Sequence, residues 1–521
     1  MDVEKFLEHH GIRENPFGAE EARHDPVFER LTLGGGMAHP EMIKILGNPD
    51  RPNTSVVFGE KGSGKTALRL LMARRIVEHN ETSPDRRTLL VAYDDFNPIL
   101  DTMGRNKART GARRARDPDR LLASFRLEDH QDAILSGAVT KIVNALLGAP
   151  EQREKMMLPS GVDDKIKSMP RETRLDLLCL AALYDAPRGK GGVLDRWQRL
   201  RKKLGFGFSF RNALLQGLAA LFTVLAAGLL LANIAKEKFG FENIEVPAWS
   251  FIAGSVLAAI AAVLWLGWLG RRMRIWRAAR QLVKECPSID RDPAQMRSIL
   301  ADIAPADRAA QVWPRRGGDG TNARYELTAK LLQALLPFGH NAIVVLVDRV
   351  DEPTLVAGRP ERMRRLVWPM FDSKFLQQDG IGLKLLLPLE LRYLILKEDA
   401  TFFQEARLDK QSLVDRLAWT GAILYDLCSA RLRACHGEKG SQISLTDLFE
   451  EGVGREALVD ALGQMQQPRD AFKMMYAVLL EHCRNVPAEE PEYRIPRLTL
   501  ETVRREQANR IQELQKGLSP A

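Results

Sequence analysis

Two long uncharged stretches near the middle of the chain constrain its fold more than any other feature. Residues 212–235 read NALLQGLAALFTVLAAGLLLANIA and residues 246–270 read VPAWSFIAGSVLAAIAAVLWLGWLG, without a single Asp, Glu, Lys or Arg. A helix needs roughly 20 apolar residues to cross a hydrocarbon core of about 30 Å, so each stretch is long enough to span a membrane. The connection KEKFGFENIEV is short, which predicts an antiparallel helical hairpin.

Basic residues are concentrated on the outer flanks of this predicted hairpin. They form two groups without an acid, namely Arg196, Arg199, Arg201, Lys202, Lys203 and Arg211 before it and Arg271, Arg272, Arg274, Arg277, Arg280 and Lys284 after it. The connection carries only Lys236 and Lys238, so the positive-inside rule predicts that both outer flanks are cytoplasmic. Because the net charge of the whole chain is +9, the rest of the protein is not basic, which disfavours nucleic acid as a partner.

Small residues along both stretches predict close contact between the two helices. Gly217, Ala220 and Gly228 on the first stretch and Gly254 and Ala258 on the second would let the backbones approach. Trp249 and Trp268 lie near opposite ends of the second stretch, where interfacial aromatic residues are expected. The alternative interpretation is a buried helical pair in a large soluble domain, but the matched basic flanks favour a membrane hairpin.

Length and composition indicate a large folded protein in a reducing compartment. The 521 residues allow roughly two to four domains. A content of 45% hydrophobic and 27% charged residues excludes a disordered chain. The five cysteines are scattered without a CxxC pair, so neither a disulfide framework nor a zinc site is expected. The first 30 residues lack an apolar segment, so no cleavable signal peptide is expected.

Short apolar runs separated by helical patterns predict the fold class. The expected strands are residues 55–58, 88–96, 342–347, 383–389 and 411–419. Strands that alternate with helices favour a parallel sheet flanked by helices, so we expect an α/β fold. From residue 421 onward the pattern is mostly helical, which predicts a C-terminal α-helical lid. The basic segment 104–120 is rich in turn-forming residues and is expected to be an exposed loop.

These patterns divide the chain into segments, with the hairpin inserted in the α/β domain. They are the N-terminal segment (1–52), the first section of the α/β domain (53–189), the hairpin with its basic arms (190–290), the second section of the α/β domain (291–420), the lid (421–490) and a charged C-terminal helix (491–521). A hairpin returns the chain to the side that it left. Its insertion therefore does not prevent the two sections of the α/β domain from folding together.

A glycine-rich sequence follows the first predicted strand and opens a helix. It comprises Gly59, Glu60, Lys61, Gly62, Ser63, Gly64, Lys65 and Thr66. This order matches GxxxxGK[ST], a loop whose backbone N–H groups point at phosphate oxygens. Lys65 is then expected to reach the β- and γ-phosphates of ATP, and the Thr66 hydroxyl is expected to bind Mg²⁺. GTP in place of ATP is left open.

A second motif, AIVVLVDRVDE, ends an apolar strand in an acid. Asp348 would lie at the carboxyl edge of the sheet, beside the glycine-rich loop, and hold Mg²⁺ together with Thr66. Asp351 and Glu352 follow closely, and either could orient or deprotonate the attacking water. Arg349 stands where many ATPases have a second acid, so the choice of base between Asp351 and Glu352 stays open.

Arginines toward the C-terminus are candidates for contacts with the γ-phosphate. Arg469 begins a helix of the predicted lid and could fold back onto the γ-phosphate. Arg407 and Arg416 are the alternatives that could reach a nucleotide on a neighbouring subunit.

Two further positions follow predicted strands. Pro388 comes after the fourth strand, where a polar sensor is expected, so that role would move to Glu390 or Arg392. Asp94 and Asp95 come after the second strand, and they are interpreted as its end rather than as catalytic groups.

The segments GEKGSGKT, VVLVDRVDE and QPRDAFKMM, in that order, resemble the P-loop ATPases of the AAA+/STAND grouping. The second is similar to the hhhhDDhD box of the KAP family, with Asp348 and Asp351 on its first and last acids and Arg349 departing at its second. The KAP family is known for membrane helices between the Walker A and Walker B motifs, and the hairpin here has that position. The stretch RLDKQSLVDRLAWTGAILYDLCSARL is similar to the passage from the last strand to the lid in STAND and origin-recognition ATPases. The resemblance covers about 55–135 and 325–485 and implies ATP hydrolysis coupled to conformational change, often with self-assembly.

We therefore expect a membrane-anchored ATPase that binds and hydrolyses Mg-ATP as a conformational switch. It would lie on the cytoplasmic face of an inner or plasma membrane, with both termini cytoplasmic and the bilayer as partner of residues 212–270. A homo-oligomer and an unidentified protein partner are left open, and nucleic acid is disfavoured. One alternative is a nucleotide-gated membrane scaffold with little turnover, favoured by Arg349 and Pro388. Another is a DNA-associated ATPase of the origin-recognition kind, favoured by the basic segment 104–120.

Overall fold

The protein is described by a computed structural model that covers most of the chain. The described residues are 1–19, 21–33, 39–109, 117–148, 156–187, 192–207, 211–239, 247, 249–317, 320–437, 442–487 and 489–515. The chain forms two compact units, one of Met1–Asn97 with Asn341–Ala521 and the other of Pro98–His340. We call the first the sheet unit and the second the inserted unit.

The sheet unit is built around a five-stranded parallel sheet. Its strands are β1 (Ser55–Gly59), β2 (Arg87–Tyr93), β3 (His340–Val347), β4 (Ile381–Pro388) and β5 (Ser412–Val414). Their order is β2-β3-β4-β1-β5, and Ser55 of β1 lies opposite Lys384 of β4 and Ser412 of β5. The strands β1, β3 and β4 are buried almost throughout, as expected for central strands covered on both faces.

The predicted parallel sheet is confirmed, and two strands are shorter than expected. All five strands overlap the predicted apolar runs, but β2 ends at Tyr93 instead of residue 96 and β5 ends at Val414 instead of residue 419. After β5 the chain still follows the end of β1, since Leu417 donates its N–H to the carbonyl oxygen of Phe58 at 2.7 Å. The residues that follow then cross over the glycine-rich loop.

The helices of the sheet unit are Val3–His9, Pro26–Leu33, Met42–Leu46, Lys65–Thr82, Pro360–Val367, Ser373–Leu376, Leu389–Ile395, Ala400–Ala406, Gly421–Cys435, Arg455–Gly463, Pro468–Asn485 and Arg497–Gln515. Most of them supply residues to two hydrophobic cores. One core joins Val57 and Leu386 of the sheet to Leu68 and Met72 of the helix that follows the glycine-rich loop.

The second core joins the two ends of the chain. Phe6 and Ile12 from the N-terminal segment pack in one cluster with Cys428, Met474 and Leu500 from the C-terminal helices. The predicted helical region after residue 421 is present. The N-terminal segment is an integral component of it, which the sequence analysis did not anticipate.

The inserted unit contains helices and no strand among its described residues. Its helices are Asn97–Arg109, Pro118–Ala123, Leu127–Leu147, Val162–Ser168, Arg171–Tyr184, Val193–Lys203, Arg211–Phe239, Trp249–Glu285, Pro293–Asp302, Pro305–Ala310 and Gly320–Leu335. The basic segment 104–120 is helical at both of its described ends, where we predict an exposed loop. Its first residues continue the helix Asn97–Arg109, which is anchored by the buried Leu100 and Met103, and its last residues form another helix. Residues 110–116 lie outside the described ranges.

A buried ion pair joins helices from both sides of the hairpin in sequence. Arg324 donates from Nε and Nη2 to the two carboxylate oxygens of Asp132 at 2.8 Å each, and Tyr184 donates its hydroxyl to Asp132 Oδ1 at 2.9 Å. Because these residues share one interior, the inserted unit includes 98–189 and 291–340. We had predicted those segments as belonging to the α/β domain, so the compact units differ from the predicted boundaries.

The two uncharged stretches form helices long and apolar enough to span a membrane. The helices are Arg211–Phe239 and Trp249–Glu285; the candidate spans are Leu214–Ile234 and Trp249–Glu285, and only 11% of the apolar window of each is buried in the protein. The first helix extends into the predicted connection as far as Phe239, and residues 240–246 lie outside the described ranges. The second continues past residue 270 through the whole basic flank.

The two apolar helices pack against each other as predicted, but only one of the three glycines mediates the contact. Gly254 is the close approach, since a Cβ atom there would lie 3.1 Å from Leu230, whereas neither Gly217 nor Gly228 has a neighbour within 4 Å of such an atom. Polar contacts add to the packing. Asn233 Nδ2 donates to Ser250 Oγ at 2.9 Å, an interaction that stabilises helix pairs in lipid.

Candidate functional site

The glycine-rich loop connects β1 to the helix Lys65–Thr82 in a conformation that requires glycine. Gly62 and Gly64 have φ values of +100° and +89°, in the left-handed region that disfavours residues with a Cβ atom. Space is also restricted, because a Cβ atom on Gly62 would lie 2.8 Å from Gln467 Oε1 and 3.1 Å from Arg469 Cβ. The sequence therefore specifies both the shape of this loop and its close contact with the helix that begins at Pro468.

The structure brings Lys65, Thr66 and Asp348 together at the carboxyl edge of the sheet. Thr66 Oγ1 donates to Asp348 Oδ2 at 3.0 Å, although the two residues are far apart in sequence. Lys65 Nζ donates to the carbonyl oxygens of Gly59 and Glu60 at 2.7 and 2.8 Å. Burial lowers the pKa of Lys65, and Asp351, Asp348 and Glu390 partly oppose that effect. These carboxylates are therefore close enough to interact with its ammonium group.

Asp348 is a buried carboxylate with several donors around it. Its residue is only 1% exposed, and burial raises its pKa above the ordinary value for aspartate. Arg69, the Thr66 hydroxyl, Lys65 and the Arg349 N–H all lower that pKa and only partly offset burial. An acid in this setting gains stability when a cation comes close to it.

The two candidate bases have different surroundings. Arg349 adopts a left-handed conformation with φ of +62°, and its N–H donates to Asp348 Oδ1 at 2.9 Å. Its Nε donates to Glu352 Oε1 at 2.6 Å, so Glu352 forms an ion pair with Arg349, the residue that stands in place of the second acid of the motif. Asp351 is the largest electrostatic influence of any acid on Lys65. Both acids line the same cavity, and both stay candidates.

Segments after β5 and from the C-terminal helices cover the loop. Trp419 Nε1 donates to the Ser63 carbonyl oxygen at 2.8 Å, and Gln467 donates to the Glu60 carboxylate. Arg416 forms an ion pair with Glu60 at 2.6 Å. Arg416 therefore contacts the loop of its own chain, and its predicted reach to a neighbouring subunit stays a prediction.

The remaining arginine candidates and the displaced sensor can now be located. Arg469 lines the cavity and acts on Lys65 by lowering its pKa. Arg407 is not among the residues that line the cavity, and it lies 3.6 Å from Asp409. Of the two sensor alternatives, Glu390 lines the cavity, whereas Arg392 forms an ion pair with Asp415 at 2.6 Å.

An ion-pair network beside Asp348 was missed by the sequence analysis. Arg69 lies one turn beyond Thr66 on the same helix, and its guanidinium contacts both Asp348 and Asp94. Asp94 follows β2 directly, as predicted, and it also accepts from Arg23 at 2.6 Å. The signal available in the sequence was position: Asp94 follows β2 and Asp348 follows β3, and adjacent parallel strands end at the same edge of a sheet.

One cavity of about 890 Å³ connects these residues, a size typical of small-ligand sites. Its lining includes the loop residues together with Asp348, Asp351, Glu390 and Arg469. The N-terminal segment contributes Glu21, Arg23 and Asp25 as well as apolar residues, and the apolar lining residues include Phe28, Leu31, Leu68, Leu71, Leu427 and Phe472. The N-terminal segment is thus a wall of the candidate site, which no motif in the sequence indicated.

The oxygen atoms of Thr66 and Asp348 fit a hard divalent cation. Mg²⁺ usually takes one or two carboxylates and fills its other positions with water and substrate phosphates. Among the residues that the structure describes, no group of three or more His, Cys, Asp or Glu side chains could hold a metal ion. The donor set therefore suits a metal ion that arrives with phosphate ligands.

We compared the chain with protein-family models, with curated proteins and with solved structures. None of the three comparisons gives a match. The assignment of a function to this site therefore depends on its own geometry and on the motifs that form it.

Proposed function

We propose that this protein is a membrane-anchored P-loop ATPase that binds and hydrolyses Mg-ATP as a conformational switch. The observation that carries the proposal is the hydrogen bond of 3.0 Å between Thr66 Oγ1 and Asp348 Oδ2. It joins the last residue of a GxxxxGK[ST] loop to an acid at the end of another strand of the sheet, with Lys65 in the same cavity. Such a pairing is what Mg²⁺ coordination beside a bound triphosphate requires.

The chain offers a residue for each step of the proposed reaction. The N–H groups of the glycine-rich loop and the Lys65 ammonium would bind the phosphates, and Arg469 would neutralise charge on the γ-phosphate. Thr66 and Asp348 would hold Mg²⁺, which when bound supplies charge neutralisation at the phosphates. Asp351 or Glu352 would take the proton of the attacking water. The apolar walls near Phe28 suit a nucleobase.

Glu352 also supports a second candidate function, a nucleotide-gated scaffold with little turnover. Its carboxylate oxygen Oε1 already accepts from Arg349 Nε at 2.6 Å, and a base must lie within hydrogen-bond reach of the attacking water to take its proton. If Asp351 does not act as the base either, nucleotide would bind and the C-terminal α-helical lid would close over it, but the nucleotide would not be hydrolysed. Measurement of phosphate release separates the two functions.

The membrane anchor is the remaining element of the proposal. Only 11% of the apolar window of the spans Leu214–Ile234 and Trp249–Glu285 is buried in the protein, which supports insertion into a bilayer rather than burial in protein. The basic flanks support a cytoplasmic position for the sheet unit. We expect the protein to stay in the membrane fraction after an alkaline carbonate wash. Its release into the supernatant would contradict the anchor.

Nucleotide binding and phosphate release of the purified full chain test the enzymatic activity. Lys65→Ala should weaken nucleotide binding roughly ten- to a hundredfold, since it removes a charge-assisted hydrogen bond. In Asp348→Asn, added Mg²⁺ should no longer strengthen nucleotide binding. Arg74→Ala is the matched control, because Arg74 is exposed on the same helix and pairs only with Glu78 in the contacts described.

Three outcomes are then distinct. Phosphate release that depends on Lys65 supports the ATPase. Nucleotide binding without release above that of Lys65→Ala supports the scaffold. Binding that is equal in wild type and Lys65→Ala would contradict both, and comparison of detergent with liposomes shows whether lipid affects the activity.

A further inference from the structure

Arg69 lies where it can act on the proposed metal site without contacting the nucleotide. It follows Thr66 by three residues, which places it one turn along the same helix. Its side chain is 9% exposed, and its Nε lies 3.3 Å from Asp348 Oδ2 while its Nη1 lies 2.9 Å from Asp94 Oδ2. A single buried guanidinium thus contacts two carboxylates from adjacent strands of the sheet.

The two contacts of Arg69 are not equivalent. The contact with Asp94 is short, whereas Nε lies within ion-pair distance of Asp348 but makes no hydrogen bond. Asp348 Oδ2 also accepts from Thr66 Oγ1, so this one oxygen is shared between the hydroxyl and the guanidinium. A small shift of Arg69 would strengthen one ion pair and weaken the other.

We propose that Arg69 is a positioning residue that divides its charge between Asp348 and Asp94 and so sets how readily Asp348 binds Mg²⁺. This inference rests on the proposed function of the site. A guanidinium and Mg²⁺ compete for the same carboxylate oxygens, because both are cations that need lone pairs at short distance. When Arg69 pairs with Asp94, Asp348 is available to the metal; when it pairs with Asp348, the metal is disfavoured.

Arg23 connects this competition to the N-terminal segment. Its Nη2 lies 2.6 Å from Asp94 Oδ2, the same oxygen that Arg69 contacts. Arg23 belongs to the short 3-10 helix Ala22–His24, which also lines the cavity. A stronger contact of Arg23 with Asp94 would leave less of that carboxylate for Arg69. The N-terminal segment is therefore in a position to regulate metal binding.

Substitutions at Arg23 and Asp94 test the inference because it predicts opposite signs for them. The readout is the Mg²⁺ concentration at which a fluorescent ATP analogue is half-maximally bound to the full chain. Asp94→Asn should raise that concentration about tenfold, which is within the usual range of coupling between sites. Arg23→Gln and Arg69→Gln should each lower it. Arg74→Gln, on the exposed side of the same helix, should leave it unchanged.

A double substitution separates an effect through Arg69 from the simple loss of a nearby charge. If Asp94 acts through Arg69, Asp94→Asn should have no effect in the Arg69→Gln background. If charge alone matters, the two effects should add. Direct binding of Mn²⁺, measured by its electron paramagnetic resonance signal, gives the same comparison without turnover. Arg69→Lys keeps the charge, and its Mg²⁺ requirement should lie between those of wild type and Arg69→Gln. This variant still provides a test if Arg69→Gln fails to fold.

The possible results are decisive for this inference. Additive effects, shifts of the same sign in Arg23→Gln and Asp94→Asn, or a higher Mg²⁺ requirement in Arg69→Gln would overturn it. Failure of the wild type to bind nucleotide would remove the proposed function and this inference together. Nucleotide binding with a Mg²⁺ requirement that none of these variants moves would overturn the inference alone.

Discussion

Each compact unit of the molecule contains a buried aspartate beside a buried arginine, and the two pairs are used differently. In the inserted unit both oxygens of Asp132 are filled, by two donors of Arg324 and one of Tyr184, and neither member of the ion pair is exposed. In the sheet unit Asp348 borders a cavity, and Arg69 is shared with Asp94. A buried carboxylate such as Asp132, with both oxygens hydrogen-bonded to buried donors, serves the fold. A carboxylate such as Asp348, which borders a cavity and shares its donors with other groups, can exchange those donors for a ligand.

The electrostatic consequences differ in the same way. Burial alone lowers the pKa of Arg324, but Asp132 outweighs burial and raises that pKa above the ordinary value. At Asp348 burial outweighs the surrounding donors, and the pKa of the acid is raised. Asp132 therefore stabilises the charge of Arg324, whereas the burial of Asp348 retains a cost that a bound cation could remove.

The largest effect is expected from Asp132→Asn. It would leave the Arg324 guanidinium buried without its counter-charge, and breaking such a pair costs about 3–5 kcal/mol of unfolding free energy. Denaturant unfolding of the full chain in detergent measures the loss. Hydrogen exchange should show it as lost protection in the helix Leu127–Leu147. A change below about 1 kcal/mol would mean that burial of this pair does not determine its contribution.

Asp129, one turn earlier on the same helix, is expected to make the stability of the inserted unit depend on pH. Its Oδ2 accepts from Arg316 at 2.7 Å, but its Oδ1 is buried without a hydrogen bond. Burial raises its pKa from 3.8 to about 6, against the opposing effects of Arg316 and the Arg126 N–H. The folded state thus binds this proton more tightly than the unfolded state. Its contribution to stability is full below the unfolded pKa and is lost as pH rises through the folded pKa.

The size of this contribution follows from the shift. A difference of about two pKa units corresponds to roughly 3 kcal/mol at most. Wild type should lose stability between about pH 4 and pH 7 from this group, and Asp129→Asn should remove that component of the slope. Unfolding midpoints of both proteins across this range provide the measurement. An unchanged slope in the variant would show that Asp129 is charged in the fold throughout.

Asp348→Asn is the same chemical change as Asp132→Asn, but it should have the opposite sign. Removing a carboxylate whose burial is only partly offset should stabilise the fold by about 1 kcal/mol, as substitutions at functional sites often do. The same variant should lose the Mg²⁺ dependence of nucleotide binding. Unfolding without Mg²⁺, compared with wild type, checks the sign. If Asp348→Asn lost as much unfolding free energy as Asp132→Asn, both ion pairs would stabilise the fold in the same way.

The sequence predicts the features of this comparison that depend on local patterns. The glycine-rich loop, three strands near their observed bounds (β1, β3 and β4) and Asp348 at the end of β3 follow from apolar runs and from glycines that require positive φ. The sequence could not show that Gly254, among the small residues, lies at the contact between the two apolar helices. Which residues meet depends on how the two helices are aligned with each other, and the pattern of one helix does not give that alignment. The predicted length of β5 is too great, because the apolar pattern after Val414 does not show where hydrogen bonding with β1 stops.

The network around Arg69 and the extent of the inserted unit were beyond such patterns. An arginine three residues after Thr66 is by default a solvated side chain, and only the juxtaposition of β2 and β3 gives it two acids. Asp132 and Arg324 lie on opposite sides of the hairpin in sequence, so nothing local indicates that 98–189 and 291–340 share an interior. The N-terminal segment became a wall of the cavity through the core that Phe6 shares with the C-terminal helices.

Asp307→Asn should have the smallest effect of the series. Arg171 donates to both oxygens of Asp307 at 2.9 and 2.7 Å, so the geometry is as good as that of Arg324 with Asp132. The side chain of Arg171 is 61% exposed, however, and water and salt screen a pair in that position. We expect a loss of unfolding free energy below about 1 kcal/mol, decreasing further at high salt. If Asp307→Asn instead cost as much as Asp132→Asn, bidentate geometry rather than burial would explain the stability of the inserted unit.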